Sequence, residues 1–206
     1  MKKINISNWK RKEHFGFFKN FEYPFFDICF DIEITDLYNF SKKNNLKIFD
    51  YTIYKITQII NKIPEFKQRI HNEEVVEYES VNPSFTDILN KDNLFTYCTV
   101  EYDDDMNLFF ERIKLKRNQN KKNIGLNLQD ENNRDDLLFL TCIPWIQFKF
   151  LQHPIINFNS NNSIPIISWG KFYTNSDKIF MPISIHAHHS LVDGYHIKIF
   201  KDLWME

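Results

Sequence analysis

The sequence predicts a mixed α/β fold whose sheet is largely connected by hairpins. Three observations carry this. Residues 26–34 alternate strictly: Phe26, Ile28, Phe30, Ile32 and Ile34 on one side, Asp27, Cys29, Asp31 and Glu33 on the other, the period-2 pattern of a strand with one wet face. Ile53, Ile56, Ile60 and Ile63 recur at helical spacing, which predicts an amphipathic helix. Two strand-like runs, 164–173 and 178–188, are joined by Thr174-Asn175-Ser176-Asp177, a turn composition, and so form a hairpin.

The remaining elements follow in chain order. Trp9, Phe15, Phe17 and Phe18 among charges over 9–19 predict a short helix. Thr35 caps a helix running to about Asn44, and Asp50 opens the isoleucine helix, which Pro64 ends. Strands are expected at 74–79, 85–89 and 94–102. Asp103-Asp104-Asp105 suits the positive end of a helix with body Met106 to Leu115, and Lys116 and Arg117 suit its other end. The polar stretch 118–136 is expected to be a surface loop. Strands at 137–142 and 145–151 precede the hairpin, and a last helix begins near Tyr195. No repeat and no Pro/Gly/Ser linker divides the chain, so one domain over 1–206 is expected.

Composition excludes several classes. The net charge is -1, with 26 basic and 27 acidic residues, so there is no basic nucleic-acid footprint. Four glycines, Gly16, Gly125, Gly170 and Gly194, are too few and too scattered for a phosphate-cradling loop. Cys29, Cys98 and Cys142 are odd in number and each lies in an apolar run, which predicts free thiols in a reducing compartment. Met1-Lys2-Lys3-Ile4-Asn5 is not followed by an apolar signal core, and no run approaches the ~20 apolar residues of a membrane helix. A soluble, cytoplasmic protein without membrane association is expected.

One constellation stands out, His188-His189-Ser190-Leu191-Val192-Asp193-Gly194. His189 falls where the strand ending at His188 leaves the sheet, a place where side chains reach clefts from a rigid scaffold. Imidazole is the group best matched to proton transfer near neutral pH. As a metal cluster, His186, His188 and His189 fail: two share a strand face, the third lies off it, and no neighbouring carboxylate or thiol completes a set. No metal is expected.

The stretch 188–196, ending Tyr195-His196, resembles the His-His-x-x-x-Asp-Gly-Phe-His signature of the chloramphenicol acetyltransferase family. Trp9-Lys10-Arg11-Lys12-Glu13-His14-Phe15, Pro64-Glu65-Phe66, Ser80-Val81-Asn82-Pro83-Ser84-Phe85-Thr86, Pro144-Trp145, the run Pro165 to Phe172, and Met181-Pro182-Ile183-Ser184 match that family's elements in order. The resemblance implies a coenzyme A-dependent acyltransferase fold, an α+β two-layer sandwich, assembled as a homotrimer with active sites at the subunit interfaces. It implies acetyl-coenzyme A as co-substrate, with no bound cofactor, and direct transfer to a hydroxyl of chloramphenicol or another small hydroxyl acceptor.

Carried over by residue, the resemblance makes His189 the general base. Asp193 pairs with Arg11 and fixes the loop that carries His189. Ser168 stands where a threonine helps stabilise the transition state through water. Counting from Pro144-Trp145 without gaps, Phe150 stands where the family has a serine that bonds the oxyanion, which implies weakened catalysis or a non-catalytic relative. Coenzyme A-binding residues are not identifiable from the resemblance.

Overall fold

The computed structural model describes residues 1–89, 92–122, 125–128, 134–154 and 163–206. Its strands are β1 (Lys2–Lys3), β2 (Phe25–Glu33), β3 (Gln68–His71), β4 (Glu74–Glu77), β5 (Asn82–Ile88), β6 (Phe95–Thr99), β7 (Leu137–Ile143), β8 (Ile166–Gly170), β9 (Tyr173–Asn175) and β10 (Lys178–His188). The helices are α1 (Lys12–Phe18), α2 (Thr35–Lys43), α3 (Ile48–Asn61), α4 (Met106–Asn120) and α5 (Gly194–Met205). No described helix is long and apolar enough to cross a membrane.

The main sheet runs β2-β10-β8-β7-β5-β6, with β9 paired to β10. Its ends are antiparallel, but β5, β7 and β8 run parallel. The sheet is therefore mixed, with the expected hairpin of β9 and β10 turning at Ser176 and Asp177, whose φ angles are 48° and 64°. Those left-handed angles suit a two-residue turn whose twist matches the strands.

Strand alternation sorts residues onto two faces. Phe85, Leu140, Ile167 and Ile185 share the core face with the isoleucines of α3. Ile53, Ile56, Ile60 and Ile63 are at most 1% exposed, and Pro64 ends the α3 run by opening a short 3₁₀ turn. The result is a two-layer α/β sandwich. The other face of β10 carries Ser184, His186 and His188, all buried.

Several local expectations change. Asp27 is not on a wet face: its side chain is 4% exposed and sits 2.9 Å from His186 Nδ1. Thr35 does not cap α2. Its hydroxyl bonds Glu33 and the Ile179 amide, so it serves the sheet rather than the helix end. Asp50 lies in the first turn of α3, and its carboxylate, together with Asp87, holds Arg117. Asp105 caps α4 through the amides of Asn107 and Leu108, and that helix runs on to Asn120. The expected loop at 118–136 thus begins later, and its residues 123–124 and 129–133 lie outside the described part. The expected strand at 145–151 does not form. β7 already has β5 and β8 on its two sides, and beyond Pro144 the chain turns, the Ile146 amide donating to Ile143 O and Ile146 O accepting from the Lys171 amide. Trp145, Ile146 and Phe150 are instead 67%, 57% and 65% exposed.

Candidate active site

The loop after β10 is tied at three points. The His189 amide donates to Pro24 O at 2.7 Å, continuing the ladder one residue past the strand. Leu191 and Val192 amides turn back to His188 O. Asp193 then caps α5, accepting from the Tyr195 amide at 2.9 Å. Its amide donates to His196 Nδ1 at 3.0 Å, the reciprocal half of a capping box.

Arg11, at the mouth of α1, clamps this loop from the far end of the sequence. One terminal nitrogen reaches Asp193 Oδ2 at 2.6 Å and the other approaches His189 O at 3.4 Å. The pair is mostly buried, with side chains 12% and 29% exposed. Burial works to raise the Asp193 pKa, but the hydrogen bond from Arg11 and the charges of His196 and Arg11 outweigh it. The carboxyl lies below its ordinary value. Glu65, from the Pro-Glu-Phe stretch, approaches His196 Nε2 at 3.6 Å and extends the network.

His189 itself is held as a flat plate. Its ring stacks on Phe18 at 4.0 Å and 12°, and Phe26 leans on it at 4.6 Å. Nδ1 lies 3.1 Å from Val192 O. A carbonyl only accepts, so Nδ1 carries the proton there, and in the neutral ring Nε2 keeps a bare lone pair. Nε2 has no hydrogen-bond partner among the described residues. Neighbouring His188 is different. It is 2% exposed, its Nδ1 accepts from the Ser190 amide, and burial, with lesser effects from His189 and His186, pushes its pKa down to about 4. It is a neutral packing group.

Ser168 does not join this cluster. It is fully buried in β8, opposite Ser184 of β10, and its hydroxyl bonds His153 Nε2 at 2.6 Å. His189 is five residues beyond Ser184, so at ~3.3 Å per residue it stands roughly 16 Å from Ser168. Ser168 belongs to a row of small polar side chains on the outer face. Register places Cys29, Ser184, Ser168 and Thr141 side by side, and Thr86 follows, its hydroxyl 2.7 Å from that of Thr141.

Phe150 makes no ring contact with His189, and inward contacts from its stretch come from Leu151 and His153. Thr141 and His153 were not singled out from sequence. The signal for Thr141 was a hydroxyl in the apolar run Leu137 to Ile143, four residues before Trp145.

A cavity of about 340 Å³ opens at the carboxyl ends of the parallel strands β5, β7 and β8. That is where open α/β sheets place ligands. Phe49, Trp145, Trp169 and Phe172 give it aromatic walls, and Thr86 connects it to the hydroxyl row. Gly170 is required nearby, because a Cβ there would stand 2.6 Å from Ile146 O. No group of His, Cys, Asp or Glu among the described residues could hold a metal.

Comparison with known proteins matches this architecture. A family model described as chloramphenicol acetyltransferase matches residues 1–203. A chloramphenicol acetyltransferase of Staphylococcus aureus is 32% identical over 96% of this chain and 91% of that protein. One of Proteus mirabilis is 29% identical over 94% and 88%. A solved chloramphenicol acetyltransferase superposes with a TM-score of 0.90 at 25% identity, covering 98% of this chain and 96% of its own. The dihydrolipoamide acetyltransferase of Azotobacter vinelandii shares the fold, with a TM-score of 0.66 at 14% identity over 94% and 86%. The chain belongs to the chloramphenicol acetyltransferase family of acyltransferases.

Proposed function

We propose that the protein, a single domain over 1–206, transfers the acetyl group of acetyl-coenzyme A to a hydroxyl of chloramphenicol, with His189 as general base. The observation that carries this reading is the fixed tautomer of His189, whose Nε2 lone pair is left open at a strand exit. Nε2 takes the acceptor's hydroxyl proton as that oxygen attacks the thioester carbon. The C–S bond breaks, and the proton passes from Nε2 to the departing coenzyme A sulfur. No acyl-enzyme forms.

Arg11 and Asp193 hold the loop so that the His189 ring needs no reorganisation. Stacking on Phe18 adds about 0.5–1.5 kcal/mol to that orientation. The aromatic cavity at the ends of β5, β7 and β8 takes the coenzyme A arm, and the thioester then lies against the hydroxyl row. There Thr141 is the oxyanion donor that Phe150 is not, with Ser168 beside it in register. Donors aimed at the developing charge act on the transition state more than on the ground state.

Separation of His189 from Ser168 by roughly 16 Å supports a homotrimer in which each reaction draws its base from one copy and its hydroxyls from the next. Exposed Trp145, Ile146 and Phe150 form the kind of apolar surface that such contacts cover. Three free cysteines agree with a cytoplasmic setting, where this acetylation gives antibiotic resistance.

The test is release of coenzyme A thiol with chloramphenicol as acceptor, beside a panel of small alcohols. The native protein is expected to turn over chloramphenicol, and His189→Ala to lose about 10²–10⁴ in rate with the fold intact. Turnover of an alcohol but not chloramphenicol would change the acceptor. More than about a tenth of native activity in His189→Ala would overturn the base assignment.

A further inference from the structure

We infer that His153 is a positioning residue for acetyl transfer, fixing the hydroxyl of Ser168; the inference rests on the reaction proposed above. His153 lies beyond β7 in a stretch with no regular structure, yet its place is determined. Ser184 Oγ donates to Leu151 O at 2.9 Å, Gln152 Nε2 donates to the Tyr23 hydroxyl, and His153 Nε2 lies 2.6 Å from Ser168 Oγ. Three consecutive residues are thus sewn to β10, to the segment before β2, and to β8.

Ser168 has no exposure, and His153 is its only side-chain hydrogen-bond partner among the described residues. A hydroxyl has one proton and rotates freely unless a neighbour selects its direction. With His153 in place, the Oγ has one imidazole contact that sets where its remaining donor or lone pair points. Without it, a buried hydroxyl beside Thr141 would turn to any available acceptor, and the row would no longer present one arrangement to the reacting carbonyl. Burial, with the charge of His186 adding to it and that of Asp27 opposing it, lowers the His153 pKa and so favours the uncharged ring. An uncharged imidazole can serve as either partner in this bond, and its role here is geometric.

The experiment is a double-mutant cycle on the full-length protein, reading kcat and both KM values with chloramphenicol and acetyl-coenzyme A. His153→Leu is expected to lower kcat about tenfold or more, with each KM changed less than about twofold. His153→Gln, which keeps a side-chain nitrogen, is expected to recover part of the loss. In a Ser168→Ala background, His153→Leu is expected to cost nothing further, because its effect runs through the missing hydroxyl. Unfolding midpoints of every variant accompany the rates. If His153→Leu does not fold, the cycle is run with His153→Gln and His153→Asn. Equal losses in both backgrounds, or an unchanged kcat in His153→Leu, would overturn the inference while leaving the transferase reading intact. A native protein with no transfer to any acceptor would overturn the transferase reading first.

Discussion

Replacing Asp193 with Asn removes a charge but keeps a helix cap, because Asn caps as well as Asp. The loss therefore reports the carboxylate's charge, its pairing with Arg11 above all, rather than the cap. Arg11 would keep the long 3.4 Å hydrogen bond to His189 O and the charge of Glu65, and its Nε is already buried without a partner. Breaking one side of a buried pair costs about 3–5 kcal/mol. With Asp193 29% exposed, water takes up part of that, and about 2–3 kcal/mol is expected. For a chain of this length that is a fall of about 4–12 °C in Tm. Asp193→Ala should lose about 1 kcal/mol more, the cap included. The pH dependence has a definite sign. The folded carboxyl titrates below its unfolded value, so its stabilisation is full above about pH 4 and is lost as pH falls through the folded value. Urea or thermal unfolding of native and Asp193→Asn protein should therefore differ at pH 7 and converge in acid. An unchanged midpoint at pH 7 would mean that the loop does not depend on Arg11, and the proposed support for His189 would fail.

Thr141→Val should lower kcat by about 10²–10³, the worth of one oxyanion donor. Phe150→Ser should leave kcat within about twofold; a several-fold gain would return the oxyanion position to residue 150. Trp145→Ala should raise the KM for acetyl-coenzyme A by about threefold to tenfold through lost ring contact, with kcat little changed. An unchanged KM would move the coenzyme away from the cavity at Phe49 and Phe172.

What was legible in the sequence was what depends on local period and on covalent neighbours. The alternation at 26–34 and the isoleucines of 53–63 each describe one element and its buried side, and both elements form. The last helix, expected from about Tyr195, begins at Gly194, and the structure adds Asp193 as its cap. The Arg11–Asp193 contact spans 182 positions and was reachable only through family resemblance, yet its geometry is plain in the structure. The stretch 145–151 misled because apolar residues there read as a strand, whereas the chain turns after Pro144 and leaves Trp145, Ile146 and Phe150 exposed. Thr141 and Ser168 become neighbours only through the parallel register of β7 and β8, which no local pattern encodes. Counting along the chain from Trp145 reaches only Phe150, whereas pairing across the sheet brings Thr141 beside Ser168, which is why Thr141 enters the proposed site. Asp27 looked wet for the same reason, since its partner His186 is 159 positions away.

In the proposed reaction, His189 of one copy acts with the hydroxyl row of another. Mixed assemblies test it directly. Chains carrying His189→Ala and chains carrying Thr141→Val with Ser168→Ala are each expected to be nearly inactive alone. Coexpressed, they should form oligomers in which native His189 from the second chain meets native hydroxyls from the first. Acetyl transfer should then return to a sizeable fraction of the native rate per oligomer. No recovery in mixed oligomers, with assembly verified by differently tagged chains, would show that base and hydroxyls serve within a single copy or do not serve together at all.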